Sequence, residues 1–170
     1  MTMNPALRKI TLTAHVISSV GWLGAVTGFV ALALVGLTSE DIEMVQMAYP
    51  AMGLITSQVI IPFSIASLLT GLIQSLGTKW GIIRHYWVLI KLVITVVSIL
   101  ILMVHAQPIA YLAEVSTTTI FSGDELRSLR IQMAVDASAA LIALMVATTL
   151  SVYKPRGITP YGWRQLQKQR

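Results

Sequence analysis

Four long runs of hydrophobic residues, separated by short polar stretches, dominate the pattern of the chain. They cover residues 10–37, 51–73, 87–113 and 131–153. A helix of roughly 20 apolar residues crosses the hydrocarbon core of a bilayer, and each run is at least that long. The pattern therefore predicts an all-α fold, a bundle of four transmembrane helices that forms one membrane domain over residues 1–170.

Composition fits this prediction and narrows the chemistry. The chain is 55% hydrophobic and 11% charged, against about 25% charged in average soluble domains, and its mean hydropathy is +0.76. It has no cysteine, which excludes disulfides, thiolate metal sites and cysteine nucleophiles. Hydrolase motifs such as G-x-S-x-G and H-E-x-x-H are absent as well. The sequence leaves open whether the protein is an enzyme.

Basic residues lie beside the hydrophobic runs. Arg8 and Lys9 precede the first run and a basic tail, residues 154–170, follows the fourth, whereas the first connection, TSEDIE, has no basic residue. By the positive-inside rule, both termini and the second connection are cytoplasmic. The net charge of +5 thus reports topology, and nucleic acid is not an expected partner. The expected partners are the lipid bilayer and either a second copy of the chain or another subunit of a membrane complex.

The first hydrophobic run contains a histidine. The stretch TAHVISSVGWLG places His15 and Trp22 on one stripe of a helix, beside a stripe of small residues that includes Ser18 and Gly21. Small residues let a neighbouring helix approach closely in a membrane. His15 and Trp22 are therefore predicted to face the bundle interior.

Polar residues of the third run share one helical face. The face comprises Arg84, Lys91, Thr95, Ser98 and His105, at spacings of seven, four, three and seven. Because a lipid-facing surface does not hold such a series, the face is predicted to point into the bundle or toward a partner subunit.

Depth in the membrane suggests two pairs of ionisable residues. His85 lies at the cytoplasmic end of the third run, at the depth of His15 in the first. His105 lies near the outer end of the third run, at the depth of Asp136 in the fourth. Polar groups inside a membrane need partners, so His15 is predicted to meet His85, and His105 to meet Asp136.

Two local motifs concern helix geometry. Ser122 and Glu125 have the spacing of a capping box, which predicts that the fourth helix begins near Gly123, and Pro155 predicts its end. Pro62 predicts a kink in the second helix.

Parts of the chain resemble known families. His15 begins an H-x6-W-L-G pattern that is similar to the first-helix signature of copper-resistance D type membrane proteins. The segments SLLTGLIQSLGTKWGIIRHYWVLIKL (67–92) and TTLSVYKPRG (148–157) resemble an uncharacterised family of four-helix integral membrane proteins from Gram-positive bacteria. The latter resemblance covers most of the chain and implies a multi-pass protein of the bacterial plasma membrane, without a particular activity.

Three functional hypotheses follow from the polar residues. In the first, His15, His85 and Trp22 bind b-type haem, since axial ligation needs an imidazole that projects between helices. In the second, His105 and Asp136 bind copper or another divalent metal. In the third, the protein is a structural or assembly subunit without a cofactor, and its histidines are hydrogen-bonded core residues. The sequence does not decide among them.

Overall fold

The computed structural model describes residues 3–78, 81–118 and 124–167. Its helices are α1 (Pro5–Thr38), α2 (Ile42–Ile55), α3 (Ile61–Gly77), α4 (Tyr86–Thr118), α5 (Asp124–Tyr153) and α6 (Pro160–Gln167), and a π-helical segment, Thr56–Ile60, joins α2 to α3. Four helices are long and apolar enough to cross a membrane: α1, the continuous stretch Ile42–Gly77, α4 and α5. They are called the first to fourth spans below. The predicted all-α four-helix bundle is thus confirmed, and the chain is a multi-pass membrane protein.

The four spans form a closed ring. Each span contacts the next one along the chain, and the fourth contacts the first. Two cavities described below are each lined by residues of all four spans, so both lie on the axis of the ring. Polar side chains from different spans can therefore come together at this axis.

Charge divides the bundle into two ends. One end carries the N-terminus, the second connection and the tail; no acidic residue occurs in these segments, and we call it the basic end. The other end, here the acidic end, carries the first and third connections and holds six of the seven acidic residues of the chain; the seventh, Asp136, lies within the fourth span. The positive-inside rule predicts that the basic end faces the cytoplasm.

The second span is irregular at its middle. The π-helical segment Thr56–Ile60 directly precedes Pro62, the predicted kink site. A proline cannot donate the backbone hydrogen bond of a regular α-helix, and a wider π turn accommodates the missing bond. Gln58, within this segment, is exposed.

Helix ends follow local chemistry where they are described. Asp41 caps α2, because its Oδ1 accepts hydrogen bonds from the backbone N–H groups of Glu43 and Met44 at 3.0 and 3.5 Å. The fourth span ends at Tyr153, two residues before Pro155, as predicted. It begins at Asp124, but the predicted capping box with Ser122 falls outside the described residues.

Large side chains of all four spans form the core of the bundle, among them Leu112 of the third span and Met133 of the fourth. Trp22, Phe29, Tyr49 and Met52 are all buried. The small-residue stripe of the first span packs against the second span. A Cβ atom on Gly21 would lie 3.1 Å from the ring of Phe63. The first span therefore buries the aromatic rings of Trp22 and Phe29 in the core. Gly21 lets the second span approach the first closely.

The tail is held against the second connection. The N–H of Thr159 donates to the carbonyl of Arg84 at 3.1 Å, and the N–H of Tyr86 donates to the carbonyl of Gly157 at 3.4 Å. These bonds fix the chain after the fourth span, including Lys154, at the basic end.

Candidate functional site at the bundle axis

A cavity of about 670 Å³ opens at the basic end of the axis. This volume lies within the range of about 300–1,000 Å³ that is usual for small-molecule sites. Its wall is apolar in large part, with polar groups from each span. The polar side chains are those of Arg8, His15, Ser67, Gln74, Ser75, Thr78, Lys91, Thr95, Ser151 and Lys154. We call it the basic-end cavity.

His15 is held in the wall of this cavity by the second span. Its Nδ1 lies 3.1 Å from the backbone carbonyl oxygen of Ser67 and 3.1 Å from the hydroxyl oxygen of Thr70. A carbonyl can only accept a hydrogen bond, and Thr70 already donates its proton to the carbonyl of Ala66 at 2.6 Å. Nδ1 therefore carries the ring proton, and in a neutral ring Nε2 has a free lone pair.

The imidazole ring of His15 fits against the second span because residue 71 is a glycine. A Cβ atom on Gly71 would lie 3.1 Å from Cε1 of the imidazole. One turn further into the bundle, the hydroxyls of Ser19 and Ser67 are hydrogen-bonded at 2.8 Å. The first and second spans thus place the ring against the helix backbone. His15 lines the cavity, and its Nε2 makes no hydrogen bond in the described part of the chain.

The charge of the basic-end cavity has a single sign. Arg8, Lys91 and Lys154 line it, and Lys91 lies close enough to Lys154 for their charges to repel each other. No acidic residue occurs in the sequence of this end. Gln74 also lines the cavity, but its amide nitrogen is shielded from solvent and has no hydrogen-bond acceptor among the described residues. The cavity therefore offers donors and positive charge, which suit an anion.

Lys154 adopts an unusual backbone conformation. Its φ angle is +43°, in the left-handed region, directly after the last residue of the fourth span. Glycine or asparagine usually occupies this position at a helix end, because a side chain there costs about 1–2 kcal/mol. Lys154 occupies a conformation that glycine would adopt at lower energy, and its side chain lines the cavity. Backbone strain of this kind concentrates at functional positions.

A second cavity of about 70 Å³ lies further along the axis, in the half nearer the acidic end. We call it the acidic-end cavity. Its wall is almost entirely apolar and includes Trp22, Phe29 and Ile60. Ser98, His105 and Asp136 are its polar residues.

His105 and Asp136 meet across the third and fourth spans. Nε2 of His105 lies 2.9 Å from Oδ2 of Asp136, and Nδ1 of His105 lies 2.8 Å from the carbonyl oxygen of Ile101. Oδ2 is shielded from solvent, and no hydrogen-bond donor among the described residues is aligned on it. The amide nitrogen of Gln132 approaches His105 Nε2 at 3.4 Å. The depth argument from the sequence thus identified a pair that is in contact.

Arg130 ties three spans together beyond this pair. Its Nε donates to the hydroxyl of Tyr49 at 2.7 Å, and a terminal guanidinium nitrogen donates to the carbonyl of Gly36. The guanidinium also lies 5.7 Å from the centre of the Tyr49 ring, a distance typical of cation–π contacts. This cluster joins the first, second and fourth spans near the acidic end of the bundle.

The structure separates residues that the haem hypothesis grouped. Trp22 lines the acidic-end cavity and not the basic-end cavity, where His15 lies. His85 is outside the wall of the basic-end cavity and forms an isolated backbone bridge with Ile158 of the tail. The predicted meeting of His15 with His85 is therefore not found, because the third helix begins only at Tyr86 and the preceding connection pairs with the tail.

The polar face of the third span is divided between the two cavities. Lys91 and Thr95 line the basic-end cavity, and Ser98 and His105 line the acidic-end cavity, so the face points into the bundle. Arg84 precedes the helix, and its carbonyl binds the tail. The sequence did not identify Gln74 as a residue of the basic-end cavity or Arg130 as a contact between spans, although each is a polar residue near the end of a span.

In the described part of the chain, His105 and Asp136 have no third metal ligand of the usual kinds beside them. No group of three histidine, cysteine, aspartate or glutamate side chains there is placed to hold a metal ion. Protein sites for divalent metals commonly supply three or more such ligands. The two side chains alone thus supply fewer ligands than such sites commonly have.

Comparison with known proteins gives no family assignment. The chain matches no family model, no curated protein and no solved structure. Interpretation of the site rests on its own residues.

Proposed function

We propose that the chain is a b-type haem-binding protein of the bacterial plasma membrane, of a haem-handling kind. The basic-end cavity would hold the haem, and His15 would bind its iron. When bound, the haem iron supplies redox chemistry and a coordination site; the residues of the chain hold and orient the group.

The orientation of His15 is the observation that carries this proposal. Histidines that bind a metal through one ring nitrogen usually donate a hydrogen bond from the other, often to a backbone carbonyl. Nδ1 of His15 has this partner in the carbonyl of Ser67, at 3.1 Å. Nε2 is then the unprotonated nitrogen, and it belongs to a residue in the wall of a ligand-sized cavity.

The remaining polar groups of the cavity fit the periphery of the same ligand. Haem b is an apolar disc with two propionate carboxylates. Arg8, Lys91 and Lys154 provide positive charge and hydrogen-bond donors. Charge-assisted hydrogen bonds to these carboxylates satisfy the donors and relieve the repulsion between Lys91 and Lys154.

A single imidazole favours haem handling over simple electron transfer. Electron-transfer cytochromes commonly hold the iron with two protein ligands, whereas one ligand leaves a coordination position for exchange. His15 is the histidine in the wall of this cavity, and His85 and His105 lie elsewhere.

The competing function is a structural or assembly subunit without a cofactor. It is favoured by the same contact of His15 with Ser67 and Thr70, which satisfies a core imidazole. It does not explain the donors that face the basic-end cavity or the backbone strain at Lys154.

Absorption spectroscopy separates these functions. The purified protein is titrated with haemin in detergent, and a sharpened, shifted Soret band that saturates at one haem per chain supports the proposal. His15→Ala is expected to abolish this band, whereas His85→Ala, which alters a histidine at the same end, is expected to retain it. Absence of a saturable band in the wild type, or its persistence in His15→Ala, contradicts the proposal. Copper, zinc and iron content in the same samples tests the metal alternative.

A further inference from the structure

The two axial cavities approach each other at a layer of hydroxyl groups. Thr95 lines the basic-end cavity and Ser98 lines the acidic-end cavity. They are one helical turn apart on the third span, a rise of about 4.5 Å. We infer that the His105–Asp136 pair is a proton-binding site that is reached from the acidic end, where both side chains are partly exposed, and that exchanges protons with the basic-end cavity through Ser98 and Thr95.

The 2.9 Å contact between the two side chains is favourable when it holds a proton. Nδ1 of His105 faces the carbonyl oxygen of Ile101 at 2.8 Å and therefore carries a hydrogen. Nε2 lies 2.9 Å from Oδ2 of Asp136 and 3.4 Å from the amide nitrogen of Gln132. A proton on Nε2 or on Oδ2 would remove the repulsion between two lone pairs at this distance, and its loss would leave a net negative charge beside an apolar cavity.

The hydroxyls of Ser98 and Thr95 are available for transfer. Most serines and threonines of the spans donate to a carbonyl of the preceding turn, as Ser138 does to Ala134 at 2.7 Å. Ser98 and Thr95 make no such bond in the described part of the chain, and both are half-buried. An uncommitted hydroxyl can accept one proton and release another, which is the requirement for a relay.

The acidic-end cavity can complete the path with water. A water molecule needs about 10–15 Å³ of such volume and two to four polar partners. The cavity has about 70 Å³ and three polar residues, Ser98, His105 and Asp136. From His105 to Ser98 the path follows two turns of one helical face, about 10 Å.

Charged groups lie at the two ends of this path. The first and second spans line the acidic-end cavity with apolar side chains. On the fourth span the nearest charged residue in sequence is Arg130, six positions outward from Asp136, and on the third it is Glu114, nine positions outward from His105. Lys91 lines the basic-end cavity one helical turn beyond Thr95. On the second span, Tyr49 is bound to Arg130, and Glu43 lies at the start of α2.

Proton flux into vesicles tests the inference. The full-length protein is reconstituted in liposomes that contain a pH-sensitive dye, and a potassium diffusion potential, negative inside, is set with valinomycin. Wild-type vesicles are expected to acidify faster than protein-free vesicles. Asp136→Asn, which keeps the shape but cannot carry the proton, is expected to slow the protein-dependent rate by at least about tenfold.

A second pair of variants tests the inference even if Asp136→Asn does not fold. Ser98→Ala is expected to reduce the flux severalfold, whereas Ser138→Ala, which loses only an intrahelical bond, is expected to leave it unchanged. Flux in the wild type equal to protein-free vesicles overturns the inference, as does equal flux in Ser98→Ala and wild type. His15→Ala is expected to conduct like the wild type, so failure of haem binding and failure of proton transfer are distinguished.

Discussion

Nδ1 of His15 lies 3.1 Å from the carbonyl oxygen of Ser67, and this contact determines which ring nitrogen is left for a ligand. The contact depends on Gly71, because a Cβ atom there would lie 3.1 Å from the imidazole. A histidine in an apolar span is costly unless its polar atoms have partners. Here one nitrogen has a partner within the chain, and the other belongs to a cavity with three cationic side chains.

Gly36→Ala is expected to destabilise the acidic end of the bundle. A Cβ atom at Gly36 would lie 2.8 Å from the phenol of Tyr49, whose side chain is 2% exposed and cannot move aside. Overpacking of this kind costs about 1–3 kcal/mol of unfolding free energy, and it displaces the hydroxyl that accepts from Arg130. Unfolding in mixed detergent micelles, followed by circular dichroism, measures the change.

Gly24→Ala is the matched control on the same helix. No atom lies within 4 Å of a Cβ built at Gly24, so this variant is expected to be neutral or slightly more stable, since alanine is the better helix former. Equal stability of the two variants would show that Tyr49 does not pack on Gly36 in the membrane protein.

Lys154→Gly is expected to raise stability and lower ligand affinity. Its left-handed backbone, with φ of +43°, favours glycine, so removal of the side chain relieves about 1 kcal/mol of strain. Loss of one charge-assisted contact is expected to weaken haem binding about tenfold. Arg156→Gln, an exposed cation of the same segment that does not line the cavity, should leave the affinity unchanged. Tighter or unaltered haem binding by Lys154→Gly would show that Lys154 does not contribute to binding haem.

His105 and Asp136 are expected to be energetically coupled. Their side chains are 19% and 35% exposed, so solvent screens part of the attraction and the coupling belongs at the lower end of the usual range. A double-mutant cycle with His105→Gln and Asp136→Asn is expected to give about 0.6–1 kcal/mol in unfolding free energy. Additive effects of the two single variants would mean that the 2.9 Å contact contributes no coupling.

The fold was accessible from sequence because bilayer thickness determines how long an apolar run must be. The four spans follow from that constraint, and Pro155 marked the end of the fourth. The inward direction of Lys91, Thr95, Ser98 and His105 followed from the cost of polar groups in lipid. The same argument, with depth added, brought His105 to Asp136.

The predicted pairing of His15 with His85 failed for a reason that spacing cannot reveal. Thr159 and Gly157 of the tail bind the backbone around Arg84 and Tyr86, and such contacts between distant parts of the chain leave no periodic signal. Ser67 and Thr70 were equally hidden as partners of His15, because small hydroxyl residues in a span are common. The sequence located the titratable groups; the partners required the packing of the spans.

Ligation of haem iron by His15 is the central claim, and chemical rescue tests it most directly. His15→Gly removes the imidazole and leaves space beside Gly71, while the cationic residues of the cavity are unaltered. The account predicts that His15→Gly loses the Soret band of the haem-bound wild type and regains it when free imidazole is added. A Soret band in His15→Gly without imidazole that equals the wild type, or no haem-dependent band in the wild type, would contradict the account.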